Sequence, residues 1–342
     1  MDQLSDLPFV RTVLGDIAPE DMGLTYSHEH IIIEKSYPTL GNPLFLLNDT
    51  DKVSEELQRF YEAGGRTMVD TMPADCGRNV LKLADVSRRT RVNIIAPTGI
   101  HLEQYYLPNH WRYAYTEEQL TALFIADVVT GIDAHDYNGP YVQRTTHKAG
   151  MVKLATGDEP ISGHQEKIFQ AVVNTHKETG APILTHTNFG KHALDQAELF
   201  VKLGADLQHV VISHVDRHQD LGYNRELLQT GVRVEYDSAF RWKENPNWTY
   251  KLLEALLPEF PDQITMGMDA AKTSYWQSYG GKPGLNFLLT TFKDELQKMG
   301  LGQYYDNIFI KNPARLYSFS KAALSKRNLQ SDGAADRSTR DL

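Results

Sequence analysis

The sequence has one cysteine and no long apolar run. Because Cys76 is the single cysteine among 342 residues, an internal disulfide framework is excluded and a reducing compartment is indicated. No apolar stretch reaches the roughly 18 residues that a membrane-spanning helix requires. Residues 1–6 are acidic and lack an apolar centre, which argues against a secretory signal. We therefore predict a cytoplasmic protein in which Cys76 is an ordinary buried thiol.

The chain also has fewer basic than acidic residues. The chain has 44 aspartates and glutamates against 35 lysines and arginines, which gives a formal net charge of -9. This balance argues against nucleic acid or an anionic membrane as the main partner, but it leaves room for a local positive patch that binds a small anion. Because 41% of the residues are hydrophobic, the chain can bury a sizeable core. We expect a globular protein with a small-molecule substrate.

Short apolar runs alternate with longer amphipathic segments along most of the chain. Eight runs predict strands at 24–30, 67–72, 92–98, 150–155, 182–186, 210–215, 232–236 and 264–269. Eight helical patterns follow them at 51–63, 78–90, 116–131, 161–179, 190–203, 219–230, 246–257 and 284–299. This α/β alternation predicts a (β/α)8 TIM barrel with long loops after its strands.

The ends of the chain differ from this regular pattern. Residues 9–24 predict a short β-hairpin before the barrel, with its turn between Asp16 and Asp21. Residues 1–320 are expected to form one domain, followed by a polar, frayed tail over 321–342. A doubly wound sheet with a second domain is the alternative. It is less favoured because no linker, repeat or break in composition occurs within the chain.

The first predicted strand ends in the motif Ser27-His28-Glu29-His30. On a strand, side chains at i and i+2 point to the same face, so both imidazoles would enter the barrel interior. On a helix the same spacing would place them about 200° apart. A His-x-His pair alone is a weak signal, because a chain with 13 histidines can contain one by chance.

Further strand ends strengthen the signal. They carry Lys153, His186, His214 and Asp269, on the fourth, fifth, sixth and eighth predicted strands. Each of these residues alone has an ordinary structural interpretation, such as a histidine bonded to a carbonyl group. Because the chemistry of such barrels lies at the carboxyl ends of the strands, their joint placement favours a shared metal site. Imidazole and carboxylate ligands suit zinc, manganese, cobalt or iron(II).

The ordered series His-x-His, Lys, His, His and Asp resembles the phosphotriesterase family of the amidohydrolase superfamily. The resemblance covers roughly residues 9–320, with motifs at 23–30, 148–153, 182–187 and 312–315. It implies two divalent metal ions bridged by an N-carboxylated lysine. By this resemblance the more buried ion is held by His28, His30, Lys153 and Asp269, and the outer ion by Lys153, His186 and His214.

A site of this kind has a direct chemical use. An ammonium group cannot bind a cation, and carboxylation would turn Lys153 into an anion. Two cations that share one water molecule lower its pKa and yield a bridging hydroxide, while the outer ion polarises a carbonyl or phosphoryl oxygen. Asp269 is the expected catalytic proton acceptor. These roles fit ester, lactone and phosphoester hydrolysis alike.

The substrate is expected to be selected by the loops. The aromatic segment 101–113 is suited to wall a pocket. Phosphate sites recur near strands seven and eight of such barrels, and the substrate-binding candidates are Arg241, Lys243, Lys272 and Tyr275, with Arg217 after strand six. Ordinary loop packing is the alternative for these residues. For Arg217, the alternative is an ion pair with Asp216 or a neighbour.

Segments 213–217 and 269–275 are similar to the branch of the family that hydrolyses sugar lactones, some of them phosphorylated. That branch usually has an arginine where Lys272 stands, so a point charge replaces a bidentate fork here. We predict a metal-dependent lactonase. A phosphotriester, phosphonate or carboxylate ester hydrolase is one alternative, and a catalytically silent binding protein is another, which the complete ligand set disfavours. Because relatives are often dimers, a homodimer is expected by analogy.

Overall fold

The computed structural model of the protein describes residues 7–244 and 247–320. The strands are Val10–Thr12 (β1), Gly15–Ile17 (β2), Leu24–Glu29 (β3), Gly65–Asp70 (β4), Asn93–Ile95 (β5), Pro97–Gly99 (β6), Met151–Thr156 (β7), Ile183–Thr187 (β8), Val210–Ser213 (β9), Arg233–Tyr236 (β10) and Ile264–Met266 (β11). The α-helices are Tyr37–Gly41 (α1), Thr50–Glu62 (α2), Val80–Thr90 (α3), Trp111–Ala114 (α4), Glu117–Val129 (α5), Gly163–Thr179 (α6), Ala193–Leu203 (α7), Leu221–Gln229 (α8), Trp248–Leu256 (α9), Thr291–Lys298 (α10) and Asn312–Leu316 (α11).

Strands β3 to β11 form a barrel of parallel strands. In sequence order, β3 to β5 pair with their neighbours, and so do β6 to β11. Only Ala96 separates β5 from β6, so the two form a single interrupted strand and the barrel has eight strands. The barrel closes where the N–H of Asp269 donates to the carbonyl of His28 at 2.9 Å. The predicted (β/α)8 barrel is confirmed.

Gly267 permits the first and last strands to approach each other this closely. A Cβ atom at this position would lie 2.6 Å from both the backbone N and the backbone O of His28. Only a residue without a side chain fits so near to another backbone. The glycine therefore brings His28 and Asp269, which lie on opposite sides of the closing seam, next to each other.

The hairpin predicted before the barrel is confirmed, since β1 and β2 pair antiparallel. The predicted position of its turn is wrong, because the turn lies at Val13 and Leu14 and not between Asp16 and Asp21. Asp16 belongs to β2, where it forms an ion pair with Arg11 at 2.7 Å. This cross-strand pair holds Asp16 on the strand and explains the shift.

The interior of the barrel is apolar at the end opposite the carboxyl ends of the strands. Side chains from five barrel strands meet there, and both ends of the described chain cover them: Val10, Met22, Val69, Ile95, Met151, Leu184, Val211, Leu316 and Tyr317. Along β7, β8 and β9, the polar strand-end residues come after these apolar ones. The apolar layer therefore supports a polar layer at the carboxyl end of the barrel.

The predicted helical patterns correspond to α2, α3 and α5 to α10. The last helix is shorter than its pattern, because α10 begins at Thr291 after a 3-10 turn at Phe287–Leu289. None of the helices in the described part of the chain has the length and hydropathy needed to cross a bilayer. The tail predicted over 321–342 lies outside the described residues.

Candidate metal centre and substrate cavity

Four histidines gather at the carboxyl end of the barrel. The ring centroids of His28 and His30 are 5.7 Å apart, and those of His28 and His214 are 4.6 Å apart. The rings of His186 and His214 are separated by 4.5 Å. These residues come from β3, β8 and the segments just after β3 and β9, so the structure brings together histidines that are distant in the sequence.

Asp269 lies against the same histidines, and Lys153 is connected to His30 through Thr71. Oδ1 of Asp269 is 3.1 Å from Nε2 of His30 and 3.8 Å from Nε2 of His28. Nζ of Lys153 donates to the carbonyl oxygen of Thr71 at 2.8 Å, and the hydroxyl of Thr71 is 3.2 Å from Nε2 of His30. All six residues predicted as metal ligands therefore lie at one mouth of the barrel.

Burial disfavours the charged forms of these nitrogen groups. It lowers the pKa of His28 and His186 well below the usual value, and it also lowers the pKa of His30 and His214. A neutral imidazole has a lone pair with which it can bind a metal ion. Burial likewise lowers the pKa of Lys153 to about 8. The layer is therefore rich in imidazole nitrogens that can bind a metal ion, and its lysine loses a proton more readily than an exposed one.

Asp269 supplies negative charge to this layer. Burial by itself would raise its pKa, but His214 and Arg217 hold the pKa of Asp269 well below its usual range. Nη2 of Arg217 donates to Oδ2 of Asp269 at 2.6 Å. Oδ1 is left facing His30 and His28, in an orientation suited to a metal ligand or a proton acceptor.

Unpaired atoms in this layer provide a test of whether a metal ion fits. Within the described ranges, Nε2 of His28, Nδ1 of His30 and Nε2 of His214 are buried and have no hydrogen-bond partner. Leaving such an atom unsatisfied costs about 1–3 kcal/mol, so a ligand is indicated. Candidate ligand atoms of His28, His214 and Asp269 also lie within 4.8 Å of one another. Residues of these types suit a divalent ion such as zinc.

Two of the histidine rings are held in orientation by polar contacts at Nδ1. Nδ1 of His28 lies 3.0 Å from Oγ of Ser213, and Nδ1 of His214 is hydrogen-bonded to the carboxylate of Asp237. Arg217 in turn donates to Oδ1 of Asp237 at 2.6 Å. Such partners fix the orientation of a ring and direct its other nitrogen toward a metal. In both rings that other nitrogen is the unpaired Nε2.

A cavity of about 230 Å³ opens beside the metal-ligand candidates. Four of the five predicted substrate residues line it, namely Arg217, Arg241, Lys272 and Tyr275. Its apolar wall includes Ile33, Pro38, Phe45 and Met72. Lys243 is exposed and is not among the described residues that line this cavity.

The two arginines of the cavity wall are bonded to the protein itself. Arg217 donates to Asp237 and Asp269, and not to the neighbouring Asp216 considered from the sequence. Arg241 donates to the carbonyl oxygens of Met268 at 2.9 Å and Asp269 at 2.6 Å. The ion pair foreseen as an alternative for Arg217 is therefore present, with partners more distant in the sequence.

Sequence reasoning missed two residues of the site. Asp237 directly follows the predicted strand 232–236, so attention to the residue after each strand would have found it. His101 follows β6 and lies with its ring 5.2 Å from that of His186. It belongs to the aromatic segment 101–113 that the sequence suggests as a pocket wall, and His101 and Tyr105 of this segment line the cavity.

Comparisons with known proteins agree with this geometry. The model of the phosphotriesterase family matches residues 8–317. A phospho-furanose lactonase from Mycoplasmopsis agalactiae is 31% identical over 332 residues, which cover 92% of each chain. The crystal structure of an amidohydrolase from Mycoplasma synoviae has a TM-score of 0.88 at 29% identity, covering 96% of this chain and 99% of that one. The lactonase structure from Listeria monocytogenes has a TM-score of 0.83 at 31% identity, covering 91% and 99%. The chain belongs to the phosphotriesterase family.

Proposed function

We propose that the protein is a metal-dependent lactonase that hydrolyses a small sugar lactone at the mouth of its barrel. The group of four histidines beside Asp269, three of them buried and His186 half-buried at the cavity wall, is the observation that carries this proposal. The names of the similar proteins, phospho-furanose lactonase and lactonase, favour a lactone over other esters.

Two divalent ions are proposed, with zinc first and manganese, cobalt or iron as alternatives. The proposed ligands are His28, His30, Lys153, His186, His214 and Asp269. We further propose that Lys153 is carboxylated and bridges the two ions. A pKa of about 8 leaves a larger share of the amine uncharged than an exposed lysine would have, and only the uncharged amine attacks carbon dioxide.

A divalent ion bound there would lower the pKa of water and polarise the carbonyl of the lactone. Oδ1 of Asp269 then accepts the proton that the attacking water loses as its oxygen bonds to the carbonyl carbon. Asp269 returns this proton to the ring oxygen when the ring C–O bond breaks, and the product is a hydroxy acid. Arg217 holds Oδ2 throughout and so fixes the direction in which Oδ1 points.

We propose Lys272 and Tyr275 as the main polar contacts of the substrate. Both line the cavity, whereas the guanidinium groups of Arg217 and Arg241 already donate to oxygens of the protein. The ammonium group of Lys272 lies 5.7 Å from the ring centroid of Phe45, on the apolar wall. A cation on such a wall suits a substrate with one anionic group, such as a phosphorylated lactone.

A hydrolysis panel tests the proposal. Metal-replete enzyme in bicarbonate would be assayed on γ-lactones, phosphorylated lactones, aryl phosphotriesters and aryl esters, with Asp269→Asn as the catalytic control. We expect lactones to give the highest kcat/KM and Asp269→Asn to lose turnover by about 10²-fold or more. Turnover of phosphotriesters without lactones would support the ester hydrolase instead. Fewer than about one bound metal per chain after reconstitution would support a binding protein.

A cytoplasmic location and a homodimer are also proposed. Cys76 is a buried free thiol, which suits a reducing compartment. The dimer rests on analogy with related proteins. Fractionation of cells that express the protein would test the location, and sedimentation of the purified chain would test the dimer.

A further inference from the structure

The backbone on either side of Asp269 is held by the carboxyl group of Glu29 and the guanidinium group of Arg241. Asp269 has a φ of 45°, in the left-handed region that residues other than glycine rarely adopt. The carboxyl group of Glu29 accepts hydrogen bonds from the N–H of Met268 at 2.7 Å and of Ala270 at 3.2 Å. The guanidinium group of Arg241 donates to the carbonyl oxygens of Met268 at 2.9 Å and Asp269 at 2.6 Å.

These bonds account for most of the backbone polar groups of the segment 268–270. The N–H of Asp269 donates to the carbonyl of His28 at 2.9 Å, and the carbonyl of Ala270 accepts from Nε1 of Trp276 at 2.7 Å. The carbonyl of Asp269 also accepts from the N–H of Ala271 at 2.9 Å. Each N–H and each C=O of the three residues therefore has a partner, and Glu29 and Arg241 together supply four of the seven bonds. A strained conformation persists where the surroundings fix it from several sides.

Glu29 is placed to act on the backbone and not on a substrate. Successive side chains of a strand point to opposite faces, so Glu29 points away from the face shared by His28 and His30. Its side chain is fully buried, and it does not line the cavity among the described residues. Burial raises the pKa of Glu29 to about 8, and the two N–H groups that donate to its carboxyl oxygens oppose this rise.

Arg241 is likewise fixed in place. Besides the two carbonyl groups after β11, Nη1 donates to the carbonyl of Asp237 at 2.8 Å. The guanidinium carbon lies 4.5 Å from the ring centroid of Phe240 and 5.3 Å from that of Tyr275. A planar cation held by three carbonyl oxygens and two rings is suited to fix a backbone rather than to follow a substrate.

We propose that Glu29 and Arg241 are positioning residues that clamp the segment 268–270 and so aim the carboxylate of Asp269 at the histidines. The proposal rests on the proposed function, because Asp269 is the proton acceptor there. It assigns Arg241, a predicted substrate contact, to a different task. It also assigns a role to Glu29, the glutamate of the His-Glu-His motif, which is not one of the proposed metal ligands.

Kinetics and hydrogen exchange test the clamp in Glu29→Gln and Arg241→Met. The glutamine replaces one acceptor oxygen with an NH2 donor, and the methionine removes the guanidinium donors while it keeps an apolar contact with Phe240. We expect kcat on a lactone to fall by about 10²-fold in each variant, because the reacting carboxylate is misplaced. KM should change by no more than about twofold, because substrate binding is not involved. The matched control, Arg88→Met on an exposed face of α3, should behave like the wild type.

The exchange measurement does not depend on turnover. Amide exchange of the peptide 266–271 should accelerate in Glu29→Gln and Arg241→Met and not in Arg88→Met. The double variant should lose less than the product of the two single losses, because both act on one segment. If the single variants fold too poorly, Arg241→Lys should keep part of kcat by retaining one donor.

Three results would overturn the clamp. One is a raised KM with unchanged kcat in Arg241→Met, which would make Arg241 a substrate contact. Another is a lowered Tm with kcat, KM and native-state exchange all unchanged. The last is unchanged exchange of 266–271 in both variants. If the wild-type protein hydrolyses no lactone, the proposed function fails, while the exchange experiment still decides on the clamp.

Discussion

Arg217 and Asp269 are joined by a hydrogen bond of 2.6 Å between Nη2 and Oδ2. The same guanidinium nitrogen donates to Oδ1 of Asp237 at 2.6 Å, and the other oxygen of Asp237 is bonded to His214. One arginine therefore links the proposed proton acceptor to the carboxylate that orients a metal-ligand candidate. The orientation of both sides of the site depends on this side chain.

Replacing Arg217 should impair turnover in proportion to the bonds lost. Arg217→Lys keeps a charge but loses the second donor, Nε, which bonds to Oδ1 of Asp237 at 3.0 Å, and with it the fixed planar geometry, so we expect kcat to fall about tenfold. Arg217→Met should lower kcat by about 10²-fold, because Asp269 and Asp237 both lose a partner. Steady-state kinetics on a lactone measures this. Equal kcat in both variants and in the wild type would show that Arg217 does not orient the site.

Asp237→Asn should weaken metal binding without unfolding the barrel. Asp237 accepts from Nδ1 of His214 and so leaves Nε2 for a metal ion. Loss of such a supporting carboxylate typically costs 10–100-fold in metal affinity, and we expect about that loss here. Competition with a chromophoric chelator would measure it. Asp85→Asn, at an exposed ion pair with Arg89 on α3, is a suitable control, and equal metal affinity in Asp237→Asn and Asp85→Asn would contradict the prediction.

Lys153→Ala should release both metal ions together, because a bridging ligand serves two ions. Elemental analysis after reconstitution would give the number of ions bound per chain. Isotopically labelled bicarbonate should produce a carbamate carbon signal in the wild-type protein and none in the variant. Loss of one ion alone would show that Lys153 does not bridge.

The sequence predicted the barrel and the family correctly because both depend on local patterns. Alternating apolar runs locate strands, and the residue at the end of a strand of this fold lies at its active mouth. The turn of the hairpin was misplaced because the pair of Arg11 with Asp16 forms across two strands. Such a pair follows from register, which the local pattern does not contain.

The roles of Asp237 and Arg241 could not be predicted for a related reason. Asp237 matters because β9 and β10 are neighbours, which places it beside His214. Arg241 matters because Asp269 takes a left-handed conformation and exposes two carbonyl oxygens to it. The predicted barrel makes these strands neighbours, but residue types alone give neither the register that sets Asp237 beside His214 nor a backbone dihedral angle.

Lys272 should govern the affinity for an anionic lactone. On a phosphorylated lactone, Lys272→Ala should raise KM by about tenfold or more, since a charge-assisted hydrogen bond is lost. On the matching lactone without phosphate, KM should stay within about twofold. Lys272→Arg should restore or improve the KM for the phosphorylated substrate, because its fork can bind phosphate in a bidentate manner. Equal effects on both substrates would exclude recognition of phosphate by Lys272.

Gly267→Ala should destabilise the closing seam of the barrel. The new Cβ would lie 2.6 Å from the backbone N and O of His28, neither of which can move without shifting β3. Overpacking against a rigid neighbour costs about 1–3 kcal/mol, so we expect at least that loss in the free energy of unfolding measured with urea. Gly163→Ala, at the start of α6 with nothing within 4 Å of its Cβ, is the matched control and should stay within about 0.5 kcal/mol of the wild type. Because the seam carries His28 and Asp269, Gly267→Ala should also bind metal more weakly than Gly163→Ala. Equal stability of the two variants would mean that the strands separate at little cost and that the glycine does not control their approach.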